Sequence, residues 1–400
     1  MTLRGLAAKR VVTCDPARAD PLGVVEDAAV VFDGHLIVYV GERDRAPLGV
    51  DLLDLGDRVV TPGLVDAHTH ACWVGSRHSE YALRMGGSSS YRDLACAGGI
   101  LSTHRAVAAA SEEELAEALA LRLRRMGSLG VTTVEVKSGY GLESEHERKQ
   151  LRAIARVAAR ADVPAVVPTL LALHALPESS RRDRAGYVRC VAQDLVPEVS
   201  RERLALFVDA YVDENAFTVD EARTVGEAAR GAGLGVRLHV GQFADVGGGE
   251  LAASLGAASA DHLEHVSNAA IHALAQARVA AVLLPVASFT LAQRPPPVAA
   301  LRAAGVALVV ASDANPGTAP TESLPLAMAL AVRIYGLSPE EALIAATRNA
   351  ARSLGLDDRG VLRQGARADL VAWDLPHEQA IAQPWGVSRA HAVFVGGREM

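Results

Sequence analysis

Short apolar runs recur through the middle of the chain, and the stretches between them carry apolar residues at helical spacing. Eight of these runs are candidate strands: Leu64–His68, Val131–Val136, Ala165–Leu170, Ala205–Tyr211, Gly235–His239, Ala258–His262, Ala280–Leu284 and Val306–Ala311. Several intervening helices have start signals. Ser111 with Glu114, and Thr218 with Glu221, have the spacing of a capping box, in which side chains and backbone N–H groups satisfy each other at a helix start. Eight strands alternating with helices predict a (β/α)8 barrel of the TIM type. A doubly wound sheet is the competing architecture, and no G-x-G-x-x-G follows a strand to favour it.

The two ends of the chain have a different pattern. Val30-Val31-Phe32 and Leu36-Ile37-Val38-Tyr39-Val40 flank Asp33-Gly34, a pair suited to the positive φ of a tight hairpin turn. Near the other end, Asp369–Trp373 and Ala392–Val395 read as short strands, the second followed by Gly396-Gly397. The expected organisation is a barrel over 62–355 beside a small β-sandwich domain built from both chain ends, 1–61 and 356–400. No solenoid repeat or long low-complexity tract interrupts it, and Pro295-Pro296-Pro297 is read as a local loop or helix start.

Half of the 400 residues are hydrophobic, enough for one large core and a satellite domain. The formal charge is −7, and the arginines around Arg122–Arg125 and Arg181–Arg184 are broken by other residues. This argues against nucleic acid or an anionic membrane surface as a partner. The start, Met1-Thr2-Leu3-Arg4 with Lys9-Arg10 soon after, is not expected to be a secretory segment. The richest apolar run, Val279–Phe289, is too short to span a bilayer and contains Pro285. Cys14, Cys72, Cys96 and Cys190 show no C-x-x-C spacing, so a reduced, cytoplasmic setting is expected.

Barrel active sites form where strands end at their C-terminal rim. Four predicted strands end in chemistry-bearing residues. The first ends in His68-Thr69-His70, the fifth in His239, the sixth in Asp261-His262 and the eighth in Ser312-Asp313. On a strand, residues i and i+2 share a face, so His68 and His70 converge as half of a metal site. Three neutral imidazoles and one carboxylate leave a divalent ion with net positive charge, able to polarise a carbonyl and acidify a bound water. The expected ligands are His68, His70, His239 and Asp313. His262 suits a base or proton shuttle better than a further ligand, because an open position must remain for water. Asp313 can also accept a hydrogen bond from that water. Asp66 shares the face of His68 and His70 and is read as orienting a ligand. A lone histidine is usually structural, and His35, His78, His104, His146, His265, His272, His377 and His391 are read that way.

Thr61-Pro62-Gly63-Leu64-Val65-Asp66-Ala67-His68-Thr69-His70 resembles the opening signature of the amidohydrolase superfamily. Glu135-Val136-Lys137-Ser138-Gly139-Tyr140-Gly141-Leu142 and Ser312-Asp313-Ala314-Asn315-Pro316-Gly317-Thr318 are similar to segments of its imidazolonepropionase family. So are Ala97-Gly98-Gly99-Ile100, Leu173-His174-Ala175 and Asp261-His262-Leu263-Glu264-His265, and the likeness runs from about Pro62 to about Thr347. The resemblance implies hydrolysis of 4-imidazolone-5-propanoate to N-formimidoyl-L-glutamate with one zinc or iron ion. It implies His68, His70, His239 and Asp313 as ligands and His262 as catalytic base. It implies Arg77 as holder of the substrate carboxylate, a role suited to a planar guanidinium. Tyr140, His174, Asn315, Gly317 and Thr318 would be further substrate contacts, and a homodimer would fit. Lys137 invites comparison with the carboxylated lysine of related hydrolases, but it follows the second strand rather than the fourth and is read as structural or pocket-lining.

Two positions depart from the family pattern, Gly241 and Ser90, and a third, Gln242, where members carry Glu or Gln, is informative in another way. Gly241 stands where many members have an acidic residue. Gln242 stands where deaminases of the superfamily use a glutamate to carry protons, which an amide cannot do, although it can hydrogen-bond the imidazolone ring. In Gly87-Ser88-Ser89-Ser90-Tyr91, Ser90 occupies the register of a pocket tyrosine, with Tyr91 one position later. The rival readings are another amidohydrolase, acting on a hydantoin, a dihydropyrimidine or an aminated heterocycle, and a catalytically silent scaffold. The retained ligands speak against the scaffold.

Overall fold

The structure, a computed structural model, describes residues 3–87 and 98–400. The Ser90/Tyr91 question, Ala97 and Cys96 therefore lie outside the described residues. Eight strands follow one another round a parallel barrel: β6 (Leu64–Asp66), β7 (Val131–Lys137), β8 (Ala165–Leu173), β9 (Phe207–Val212), β10 (Gly235–Val240), β11 (Ser259–His262), β12 (Ala280–Leu283) and β13 (Leu308–Val310). Each predicted run overlaps one of them. The ladder joins neighbours in sequence order from β6 to β13.

The barrel closes just past the ends of its first and last strands. Thr69 bridges Ala314, the Asp313 N–H donates to the His68 carbonyl at 3.1 Å, and the His70 N–H donates to the Ala314 carbonyl at 3.0 Å. This departs from the sequence expectation, in which the first strand continues through His68. The ladder with β7 stops at Asp66; beyond it the chain also bonds the Asp313 segment, while the Thr69 carbonyl still accepts the Lys137 N–H at 3.0 Å. Backbone bonds thus tie His68 and His70 to the Asp313 segment, although some 240 residues of chain separate them.

Both expected capping boxes are present. Ser111 and Glu114 start the helix Glu112–Ser128, and Thr218 and Glu221 start Val219–Gly231. In the first of these helices Leu115, Leu119, Leu123 and Met126 are buried, three to four residues apart along one face. A third box, Ser338 with Glu341, starts Pro339–Ala345.

The chain ends form a second sheet from β1 (Arg4–Val12), β2 (Val24–Asp33), β3 (Leu36–Glu42), β4 (Asp51–Asp54), β5 (Val59–Pro62), β14 (Leu370–Trp373), β15 (Ala390–Val395) and β16 (Arg398–Glu399). The hairpin turns at Asp33-Gly34, as the sequence predicts. The sheet is continuous but folds back on itself: Phe32 on β2 meets Phe394 on β15, ring centroids 6.1 Å apart, and Leu36 bridges Arg367. Leu6, Val30, Ile37, Val60 and Leu370 fill the space between as a separate small core. No helix among the described residues is long and apolar enough to cross a membrane.

Candidate metal centre and active site

At the C-terminal mouth of the barrel, His68, His70 and His239 place one ring nitrogen each within 4.8 Å of the others. His70 Nε2 faces His239 Nε2 at 3.2 Å. Asp313 Oδ1 lies 3.4 Å from His70 Nε2 and 3.6 Å from His68 Nε2. Four ligand atoms held about 2.1 Å from one ion in a tetrahedron would sit roughly 3.4 Å apart, so these spacings suit a single cation. All four side chains are buried.

The ring nitrogens fit a metal for a second reason. His68 Nδ1 bonds Asp261 Oδ2 at 2.6 Å, which leaves its buried Nε2 without a hydrogen-bond partner. His239 Nδ1 bonds Asp209 Oδ1 at 3.0 Å, so its Nε2 also carries the free lone pair. Carboxylates that fix the tautomer of a histidine in this way are the usual support of metal-binding imidazoles. Burial, helped by neighbouring Lys137, holds His68 well below the usual histidine range; burial and His174 do the same to His70. Both are therefore neutral, as ligands must be. Burial raises the Asp313 carboxyl well above its ordinary range.

Beneath this centre is a layer of buried charge. Lys137 Nζ lies 2.8 Å from both Glu135 Oε1 and Asp209 Oδ2, and 4.0 Å from Asp261 Oδ2. Arg237 reaches Asp261 at 3.8 Å and donates to the Ala67 and Ser353 carbonyls, each at 2.9 Å. Glu135 Oε2 accepts the Thr69 N–H at 3.2 Å. Lys137 is thus structural: it fixes the carboxylate that fixes His239. Asp66 accepts the Ser312 N–H at 3.0 Å, so it orients the Asp313 segment rather than a histidine ring.

Above the centre, one pocket is lined by His70, His239, Asp313, His262, Arg77, Tyr140, His174, Gln242, Asn315 and Thr318, the residues the sequence nominated apart from His68 and Gly317, together with Ile100 and Tyr211. It adjoins an outer cavity of about 300 Å³ that shares Ile100, His174 and Tyr211. The His174 ring stacks on His70 with centroids 5.2 Å apart, held by its Nδ1 at 2.6 Å from the Gly139 carbonyl oxygen. Arg77 is buried and paired with Glu80 at 2.7 Å. A Cβ on Gly317 would sit 2.2 Å from Arg77 Nη1, so the absence of a side chain there makes room for the guanidinium.

The Asn315–Thr318 loop differs from expectation in one respect. The Asn315 Oδ1 accepts the Gly317 and Thr318 N–H groups at 2.8 and 2.7 Å, and its Nδ2 donates to the Asp313 carbonyl and Thr318 Oγ1. These groups are satisfied by one another, so the loop acts as a rigid wall. Gly241 also has a structural reason. Its φ is +65°, and a Cβ would lie 2.3 Å from the His265 carbonyl oxygen. A side chain of any kind is strained there.

Sequence reasoning passed over Glu135, Asp209, Arg237 and Asp261 as site residues, and Tyr211 with them. The available signal was charge inside otherwise apolar strands: Glu135-x-Lys137 on β7 and Arg237-x-His239 on β10 share faces at i, i+2.

Residues 59–400 match the amidohydrolase family. The chain is 43% identical over 396 residues to the imidazolonepropionase of Anaeromyxobacter sp. (strain K), covering 97% of this chain and 93% of that one. It is 44% identical over 383 residues to that of Chromobacterium violaceum, covering 94% and 92%. It is 44% identical over 388 residues to that of Caulobacter vibrioides (strain NA1000 / CB15N), covering 96% of each. Among solved structures, a zinc-bound adenosine deaminase from Xanthomonas campestris superposes with a TM-score of 0.72 at 22% identity, covering 99% of this chain and 92% of that one. The atrazine chlorohydrolase of Arthrobacter aurescens TC1 complexed with zinc gives 0.70 at 19% identity, covering 100% and 95%. These two share the fold. Matched from Val59 to its last residue, and along nearly its whole length by these relatives, the chain belongs to the amidohydrolase family.

Proposed function

We propose that this enzyme hydrolyses the ring amide C–N bond of 4-imidazolone-5-propanoate, giving N-formimidoyl-L-glutamate in histidine degradation. The observation that carries this reading is the composition of one pocket. His70, His239 and Asp313 line it beside His262, and a buried arginine, Arg77, lines it as well. A substrate with a hydrolysable ring and a carboxylate tail needs both sets of groups.

His68, His70, His239 and Asp313 would hold the metal, zinc or iron, since imidazole and carboxylate suit either. When bound, the ion supplies Lewis-acid polarisation of the ring carbonyl and lowers the pKa of a coordinated water. The chain's own residues do the rest. Arg77 binds the propionate carboxylate and so orients the ring. His262 Nε2 takes a proton from the attacking water as its O–H bond breaks. It then gives that proton to the ring nitrogen as the C–N bond breaks. Tyr211 donates to Gln242 Oε1 at 2.9 Å, leaving the amide N–H groups to hydrogen-bond the ring. Because Gln242 cannot carry a proton, amide opening is favoured over the deaminase reading.

The test is a spectrophotometric assay with freshly generated imidazolone propionate. Activity is expected, lost on chelation and restored by adding back zinc or iron, with the more effective ion naming the metal. Purified protein that holds a full complement of metal and does not consume this substrate would overturn the assignment.

A further inference from the structure

The pocket-lining imidazole of His262 leads to a chain of buried groups outside the ligand set. Its Nδ1 lies 3.8 Å from Glu264 Oε2, and both atoms are buried without a hydrogen-bond partner among the described residues. The other carboxylate oxygen is committed. Ser288, on the helix Pro285–Leu291, donates to Glu264 Oε1 at 2.5 Å. Ser288 Oγ is also 2.5 Å from the hydroxyl of Tyr335, the last residue of the helix Leu324–Tyr335.

Counting protons gives this chain a direction. Burial pushes the Glu264 carboxyl up to about 8; in its ionised form it only accepts, and the single Ser288 hydrogen then goes to it. Ser288 Oγ must then accept from Tyr335. Both hydroxyls point toward Glu264, and Oε2 is left to accept from His262. That bond would place the imidazole hydrogen on Nδ1 and the lone pair on Nε2, the tautomer a general base needs. The backbone at this point is also constrained. His262 and Leu263 have φ of +81° and +68°, two successive non-glycine residues in the left-handed region. Such backbone persists where the surroundings over-determine it, and it clusters at functional sites. Catalytic hydrogen bonds are often long before substrate binds and tighten in the complex.

We propose that Glu264 is the positioning residue of the catalytic base, holding His262 as the Nδ1–H tautomer and stabilising the imidazolium formed when Nε2 takes the proton from water. Ser288 and Tyr335 fix the carboxylate for that task. The inference rests on the reading of His262 as the base. It differs from a structural role for Glu264, in which satisfying Ser288 would be enough.

The test uses the metal-loaded enzyme and four proteins: wild type, Glu264→Gln, Glu264→Asp and His262→Asn. In Glu264→Gln, Ser288 still donates to the amide oxygen, which turns the NH2 group toward His262 Nδ1 and favours the wrong tautomer. A carboxylate-to-amide change behind a catalytic histidine has cost ~10⁴ in kcat elsewhere, and loss of a general base costs ~10²–10⁴. The expected result is a fall of that order in kcat, with KM within about threefold and metal content unchanged. Glu264→Asp should recover at least about tenfold of the loss, because the carboxylate is kept. In ¹⁵N spectra of histidine-labelled protein, the His262 hydrogen should sit on Nδ1 in the wild type and move to Nε2 in Glu264→Gln. Should Glu264→Gln retain kcat while His262→Asn is slow, the positioning role is overturned and the base remains. A wild-type spectrum with the hydrogen on Nε2 overturns it as well, whether or not any variant folds. If His262→Asn itself retains kcat, the base assignment fails first and the role of Glu264 with it.

Discussion

Gly317→Ala tests the carboxylate seat without touching a charge. The new Cβ would stand 2.2 Å from Arg77 Nη1, where ordinary contact needs 3.4 Å or more, so the guanidinium must retreat by over an ångström. It cannot do so freely, because the side chain is buried and its Nε donates to Glu80 Oε2 at 2.8 Å. Gly317 is not in the left-handed region, so the backbone accepts alanine and the fold should survive. The cost therefore falls on the ligand. Displacing one donor of a paired arginine–carboxylate contact forfeits a charge-assisted hydrogen bond, about 1.5–3 kcal/mol, or a ~10- to 150-fold rise in KM. The Arg77 contact lies away from the reacting bond and holds substrate and transition state alike, so kcat should change by less than about threefold. Steady-state kinetics on imidazolone propionate read both parameters. An analogue with a carboxamide in place of the carboxylate should distinguish the two proteins far less. A variant with unchanged KM and a full metal complement would show that Arg77 does not grip the substrate.

Two further predictions concern the scaffold. Lys137→Met removes the cation shared by Glu135 and Asp209 and leaves buried carboxylates uncompensated; denaturant unfolding should show a loss of about 3–5 kcal/mol, and a loss below about 1 kcal/mol would deny the layer its structural role. Glu147 is buried beneath the Tyr140 loop, where it accepts the Gly139 and Leu142 N–H groups, and burial pushes its carboxyl up to about 7. Because the unfolded chain ionises near 4.5 and the folded one near 7, rising pH favours unfolding between those values. Its stabilising contribution is complete below pH 4.5 and lost as pH rises through 7, by up to about 3 kcal/mol. The stability difference between wild type and Glu147→Gln should shrink by that order from pH 5 to about pH 7.5; a difference independent of pH would show that Glu147 does not titrate there.

The barrel was legible because its signal is local. Apolar runs, capping boxes at Ser111 and Thr218, and the Asp33-Gly34 turn each specify a few residues of backbone, and the structure repeats them. That the nominated residues would gather at one mouth was legible for a related reason. A histidine at the end of a strand announces itself, and the barrel topology gathers strand ends without further information. What the sequence conceals is how each functional group is held. The convergence of His68 and His70 owes less to strand alternation than to the bridge with Ala314, a partner from the far end of the barrel. Likewise, Asn315 has the look of a substrate contact by residue type, yet its amide is spent on its own loop. Only a count of donors and acceptors in space separates these cases.

The buried charges carry the point furthest. Glu135, Lys137, Asp209, Arg237 and Asp261 are buried within strands, where an isolated charge would be expelled or neutralised. Taken singly, each is an anomaly in an apolar pattern. Together they compensate one another through contacts of 2.8–4.0 Å. Two of the three acids also present an oxygen to the Nδ1 of a metal-facing histidine. A core of matched apolar residues at these positions would cost less desolvation, but it would leave His68 and His239 free to choose either tautomer and to turn their rings. The charge layer is therefore best understood as the means by which two imidazoles are fixed with their lone pairs toward one point. In such a barrel, an ionisable residue two positions before a strand-end ligand is a candidate for that support, as Arg237 before His239 illustrates.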